Sequence, residues 1–180
     1  MRPALAGLKR YIATAETSKH RVFQFLNSSI LPDNKLIAIC ADDAFILGVI
    51  SSRFHTVWSL RAGGWIGAGN DSVYVKSQCF DPYPFPEVSS AQRRDIQQLA
   101  EELDALRKSV LAEYPDLTLT ALYNALSAII LGTALDSKQQ DTVERGRVRT
   151  LRDLHEQIDL AVASAYRWSA NIETRRFYQI

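Results

Sequence analysis

The sequence predicts an α+β fold, with a small mixed α/β domain over residues 1–88 followed by an α-helical domain over residues 89–180. Three observations lead there. Up to about residue 86, short apolar runs alternate with turn-forming residues. Beyond residue 90, apolar residues recur at helical intervals of three and four. Between the two lies Phe80-Asp81-Pro82-Tyr83-Pro84-Phe85-Pro86, whose alternating prolines withhold backbone donors and favour extended chain.

The first 21 residues carry Arg2, Lys9, Arg10, Lys19 and Arg21 against Glu16 alone, with His20 beside them. Such a local basic segment can lie against phosphates or simply face solvent. Residues 21–26 and 35–40 read as strands, with Pro32-Asp33-Asn34 as the turn between them. Asp42-Asp43 then reads as a helix start, with carboxylates near the positive end of the helix dipole. Residues 44–60 form the predicted helix, apolar at Ile46, Leu47, Ile50, Phe54, Val57 and Trp58. Gly48, Ser51 and Ser52 are small enough for close packing, and Gly63-Gly64 ends the helix. A loop through Asn70-Asp71 leads to a short strand over residues 73–75.

Three helices follow. Ile96, Leu99, Leu103, Leu106 and Val110 form a heptad seam that Tyr114-Pro115-Asp116 breaks. Thr118 is placed to cap a helix carrying Leu122, Tyr123, Leu126, Ile129 and Ile130, stopped at Gly132. The last helix spans residues 137–168, with Leu151, Leu154, Ile158, Ala161 and Ala165 on one face and a candidate interruption at Gly146. Apolar seams on separate helices imply antiparallel packing.

Composition excludes several classes. The chain has 180 residues, 47% apolar and 23% charged, so it can bury a core and disorder is not the default. No run of about 18 apolar residues exists, so no transmembrane helix is expected. The N-terminus lacks the apolar stretch of a signal peptide, and the expected location is cytoplasmic. A net charge of +1 carries no global sign of nucleic-acid binding. Cys40 and Cys79 are too few for a disulfide framework or a zinc site and are expected to be small buried residues. His20, His55 and His155 lie far apart in sequence with no metal-ligand pattern, and His55 is expected on a surface or between helices.

Two segments imitate chemical motifs. Gly63-Gly64-Trp65-Ile66-Gly67-Ala68-Gly69 is glycine-rich, but a phosphate cradle needs a strand before it and a helix after it. Here a helix precedes, which favours a loop able to approach another macromolecule. Asp81-Pro82-Tyr83 is similar to the Asp/Asn-Pro-Pro-aromatic motif of amino-directed DNA methyltransferases, but Tyr83 replaces the second proline. No S-adenosylmethionine loop, nuclease motif or nucleophile elbow accompanies it. No catalytic residue, cofactor site or metal site is expected in this chain.

Several segments, taken in order, resemble one family. Arg2-Pro3-Ala4-Leu5-Ala6-Gly7-Leu8-Lys9-Arg10-Tyr11-Ile12-Ala13-Thr14 and Ser18-Lys19-His20-Arg21-Val22-Phe23 resemble the start of the target-recognition region in MmeI-like class I DNA methyltransferases, which are fused type II restriction–modification enzymes. Ile30-Leu31-Pro32-Asp33-Asn34-Lys35-Leu36 and Phe45-Ile46-Leu47-Gly48-Val49-Ile50-Ser51-Ser52-Arg53 continue the likeness. The most specific stretch is Lys76-Ser77-Gln78-Cys79-Phe80-Asp81-Pro82-Tyr83-Pro84-Phe85-Pro86. Leu117-Thr118-Leu119-Thr120-Ala121-Leu122-Tyr123-Asn124 resembles the family's C-terminal helical region. The likeness runs over residues 2–168, and the final residues, with Arg175-Arg176-Phe177-Tyr178, leave the pattern.

The resemblance implies that an upstream methyltransferase domain binds S-adenosylmethionine and methylates the adenine amino group. The region seen here would read double-stranded DNA, braced by its helices. The chain is then a truncated gene product, a dissected piece or a separate specificity subunit. Phosphate contacts are expected from Lys9, Arg10, Lys19, Arg21, Arg61 and Lys76. Base-edge readers are expected among Arg61, Asn70, Lys76 and Gln78, where a good bidentate pair discriminates by about 1–3 kcal/mol. Trp65 and Tyr74 are candidates to stack or wedge, with core packing as the alternative. The competing function is a helical protein-interaction module that docks on a methyltransferase chain through the seams at Ile96 to Val110 and Leu151 to Ala165.

Overall fold

The strand that organises the first half is one the sequence reading missed. In the computed structural model, which describes residues 2–66 and 71–168, β1 (Arg10–Ala15) is the centre of an antiparallel sheet ordered β3-β1-β4. β3 is Gln24–Asn27 and β4 is Leu36–Ile39. Ile12 faces Phe25 on one side and Ile39 on the other. The predicted strands are therefore present, β3 starting three residues later than expected, but they are not neighbours. β1 separates them, and the turn at Asn34 holds through the Asp33 carboxylate accepting from the Lys35 amide at 2.8 Å. Both faces of β1 are covered. Tyr11 and Ala13 pack with Leu5 of the short helix α1 (Arg2–Leu5), while Ile12 joins Phe23, Phe25 and Ile39. Cys79 is buried as expected, but Cys40 is exposed, because it lies just past the end of β4 where the sheet no longer covers it.

A second small sheet is ordered β2-β6-β5, with β2 Thr17–Ser18, β5 Gly64–Ile66 and β6 Asp71–Val73. β5 lies inside the stretch expected to be loop. β6 covers only the first residue of the strand expected over 73–75, because Tyr74 turns inward to the core and residues 76–79 form the one-turn helix α4 (Lys76–Cys79).

The helix expected over residues 44–60 is two helices, α2 (Ala44–Ser51) and α3 (Arg53–Ala62). Asp43 caps α2 as predicted, its carboxylate accepting from the Phe45 amide at 2.8 Å. The break at Ser52 has a tertiary cause. Asp159, from the last helix, accepts from the Arg53 amide at 2.7 Å and from Arg53 Nε at 2.8 Å. A buried carboxylate thus caps α3 from outside, and no local sequence pattern announces it.

The second half follows the prediction closely. α5 is Ser90–Glu113, with a capping box between Ser89 and Gln92. α6 is Leu119–Leu131, capped by Thr118 and closed by Gly132 in the left-handed conformation at φ 69°. The last helix divides at Gly146 into α7 (Ser137–Arg145) and α8 (Val148–Ala165). The seam on α5 differs in composition: Ile96, Ala100, Leu103 and Val110 are fully buried, but so are Asp104 and Arg107, whereas Leu99 and Leu106 are only partly covered.

Those two buried charges join the halves. β3 is an edge strand, and α5 satisfies its open edge. The Phe25 amide donates to Asp104 Oδ1 at 3.1 Å, and Arg107 donates to the Phe23 carbonyl at 2.7 Å. Arg107 also donates to the Tyr123 hydroxyl, which lies 2.8 Å from His155 Nε2 on α8. α2 completes the junction, sending Phe45 and Val49 into the helical core and Leu47 and Ile50 into the sheet core. Gly48 permits its close approach to α5, since a Cβ there would lie 2.5 Å from Ile96 Cγ2.

Candidate nucleic-acid interface

The exposed candidates gather around the β5–β6 hairpin. Gly63 brings the chain from α3 into β5 with no room for a side chain, as a Cβ would lie 2.4 Å from the Val73 carbonyl oxygen and 2.7 Å from that of Ser59. Trp65 and Ile66 follow, and they are 45% and 57% exposed. Neighbouring strand residues point to opposite faces, so each face of β5 carries one exposed apolar side chain, while Ser72, the partner of Trp65 on β6, is buried. Burial would ordinarily be expected of two large apolar side chains. Arg61, in the last turn of α3, is exposed and has no ion-pair partner among the described residues. Lys76 opens α4, pairs with Asp81 and lies 5.7 Å from the Phe80 ring centre; Gln78 is exposed on the same turn. Asn70 falls outside the described residues.

The basic segment is more differentiated than its charge pattern implies. Lys9 is exposed and unpaired among the described residues. Arg10 is committed internally: it binds Asp42 at 2.5 Å and Glu101, and its guanidinium stacks 3.6 Å over Phe25. Lys19 is exposed and donates to Asn124 Oδ1 at 2.8 Å, an atom that His20 Nε2 also contacts at 2.8 Å. Arg21 is largely enclosed, donating to the Thr14 hydroxyl, the Ala15 carbonyl and Ser72. Burial pushes its guanidinium down to about 10, still charged at neutral pH.

Tyr74 is 1% exposed and packs edge-on against Phe23, so no ring face is free for a base. Its hydroxyl meets His55 Nε2 at 2.9 Å. His55 is fully buried rather than at a surface, enclosed by the rings of Phe23, Tyr74 and Tyr83. Burial, reinforced by the charge of Arg21, pushes it down to about 3. Tyr83, in the segment similar to a methyltransferase motif, is also buried, against His55, Trp58 and Phe85. Among the described residues, no three His, Cys, Asp or Glu side chains could hold a metal ion. No described helix is long and apolar enough to cross a membrane.

No protein-family model matches the chain. Over 112 residues it is 28% identical to DNA methyltransferase A of Bacillus subtilis (strain 168), a match covering 62% of this chain and 12% of that protein. In structure, 95% of the chain superposes on 20% of the type IIL restriction–modification enzyme MmeI, solved in complex with DNA, with a TM-score of 0.69 and 20% identity. The chain thus has the fold of one part of a restriction–modification enzyme and is related in sequence to one part of a DNA methyltransferase. It spans about an eighth to a fifth of the length of these proteins.

Proposed function

We propose that this chain is the DNA-sequence recognition portion of a site-specific, adenine amino-directed DNA methyltransferase of a restriction–modification system. Methyl transfer from S-adenosylmethionine is assigned to a catalytic domain or subunit outside this sequence. The observation that carries the reading is the two-sided exposure of Trp65 and Ile66 on a hairpin flanked by Arg61, Lys76 and Gln78. A duplex major groove admits a two-stranded ribbon, and a forked guanidinium or an amide can read base edges there. The fold shared with part of MmeI supports the same reading. Lys9, Lys19 and Lys76 then position the duplex through phosphates, which carry no sequence information. Arg10, Arg21 and Tyr74 leave the contact set, because their side chains are engaged inside the protein.

The test is binding to random-sequence duplex DNA across a salt series, with sequencing of the bound fraction. The expected result is salt-weakened binding with a short enriched motif. Arg61→Ala should relax the motif at one position and cost about tenfold or more in discrimination there. Binding with no enriched motif would overturn the recognition claim. Absence of binding by folded protein at low salt would favour a docking module that needs its methyltransferase chain.

A further inference from the structure

The basic segment and the helical half enclose a second feature, which begins at β2, the strand paired with β6 of the hairpin. A half-enclosed groove of about 440 Å³ lies between β1, β2 and the first turn of α6. Thr17, Ser18, Lys19 and His20 form one side and Leu119 and Thr120 the other. Among the described residues, no carboxylate lines it. The nearest acid in sequence, Glu16, is turned toward Lys35 at 3.7 Å.

Two independent observations give the groove a preferred ligand charge. Asn124 gathers Lys19 and His20 onto a single carbonyl oxygen, which fixes the ammonium at the groove while leaving it two further N–H donors. Behind the wall, Arg21 holds Thr14 and Ala15, both lining residues, and has no carboxylate partner among the described residues. Its Nε is buried with no hydrogen-bond partner among the described residues. Enclosed charges are ordinarily paired, so an uncompensated guanidinium behind an acid-free wall leaves a positive field in the groove. The Ser18 hydroxyl is likewise buried without a partner among the described residues. The Leu119 and Thr120 amides, which open α6, have no acceptor within their own helix.

We propose that this groove is a phosphodiester site, in which Lys19, the hydroxyls of Thr17 and Thr120 and the opening amides of α6 grip a backbone phosphate of DNA. Arg21 is a positioning residue that supplies field from behind. The inference rests on the DNA-recognition reading and deepens it: the helical half then touches DNA directly and does more than brace the recognition half.

Two measurements test it. The first is the salt dependence of binding to a random-sequence duplex pool by the unaltered chain, by Lys19→Gln and by Thr120→Glu. Thr120→Glu places a carboxylate in the groove while suiting the first turn of a helix, so folding is retained. The expected result is a salt slope smaller by about one for Lys19→Gln and a loss of at least tenfold for Thr120→Glu at low salt. Lys138→Gln, on α7, should match the unaltered chain. The second measurement titrates inorganic phosphate and follows amide resonances, where Lys19 and Thr120 should shift and Lys138 should not. Unaltered-chain binding that both groove variants reproduce would overturn the groove while leaving the recognition reading intact. Phosphate-induced shifts without any DNA binding would overturn the phosphodiester assignment and the recognition reading together, leaving a site for a free phosphate group. Neither binding nor shifts would overturn the groove outright.

Discussion

His55 shows how a residue that looks unremarkable in sequence becomes a stability determinant once folded. It is fully buried, its Nε2 meets the Tyr74 hydroxyl and its Nδ1 has no partner among the described residues. Its folded value is about 3 against 6.5 for an ordinary histidine, so between those limits the unfolded chain binds the extra proton. The stability contribution is complete above about pH 6.5 and is lost as pH falls toward 3. Each pH unit in that window costs about 1.4 kcal/mol from this residue. His55→Phe should flatten the pH dependence of unfolding free energy by about one proton between pH 6.5 and 4.5, read from urea curves at several pH values. Equal slopes in both proteins would refute the assignment. Arg107 gives the complementary case. It is 2% exposed, and Arg107→Met leaves the Phe23 carbonyl without its donor and Asp104 with one fewer neighbouring cation. A loss of about 3–5 kcal/mol is expected in the same assay. Neither role was legible in the sequence, where Asp104 and Arg107 lie outside the predicted seam of Ile96, Leu99, Leu103, Leu106 and Val110.

At the scale of elements, legibility tracked how local the cause was. Thr118, Gly132 and Asp43 act within a turn of their own positions, and each helix end they mark is where the pattern placed it. β1 was hidden because Arg10-Tyr11-Ile12-Ala13-Thr14-Ala15 is covered on both faces and so shows no alternation, while its basic flanks drew attention to charge. The split at Ser52 depends on Asp159, 107 positions from Ser52 in the chain (159 − 52). The exposed hairpin was read as an approach loop, and the groove against α6 needed tertiary structure to appear at all. Two glycines separate the physical causes. Gly132→Ala meets open space but must hold φ 69°, and should cost about 1 kcal/mol. Gly48→Ala has ordinary helical backbone but drives a Cβ to 2.5 Å from Ile96. It should cost about 1–3 kcal/mol through overpacking, more than Gly132→Ala when thermal unfolding is compared. The reverse ranking would mean that α2 and α5 can move apart cheaply.

For the whole molecule, the sequence divides near residue 88 while the packing continues across it. Phe45 and Val49 belong to the same core as Leu103, Leu126 and Ile158, and Ala100 belongs to the core of the first sheet. The edge of β3 is satisfied by α5, and α3 is capped by α8. A first half built this way has its exposed hairpin fixed relative to the helices, which suits the proposed reading of a duplex by that hairpin. It also means that neither half can expose its junction without stranding Asp104, Arg107 and Asp159 beside open apolar surface. Unfolding should therefore be a single cooperative transition. With the third tryptophan, in the helical half, removed as Trp168→Phe, tryptophan fluorescence samples Trp58 and Trp65 in the first half, and far-ultraviolet circular dichroism is dominated by α5, α6 and α8. The two signals should give one urea midpoint, and Arg107→Met should move both together. Separate midpoints, with only the helical signal shifted by the substitution, would show two independent domains and would make the helical half a detachable brace.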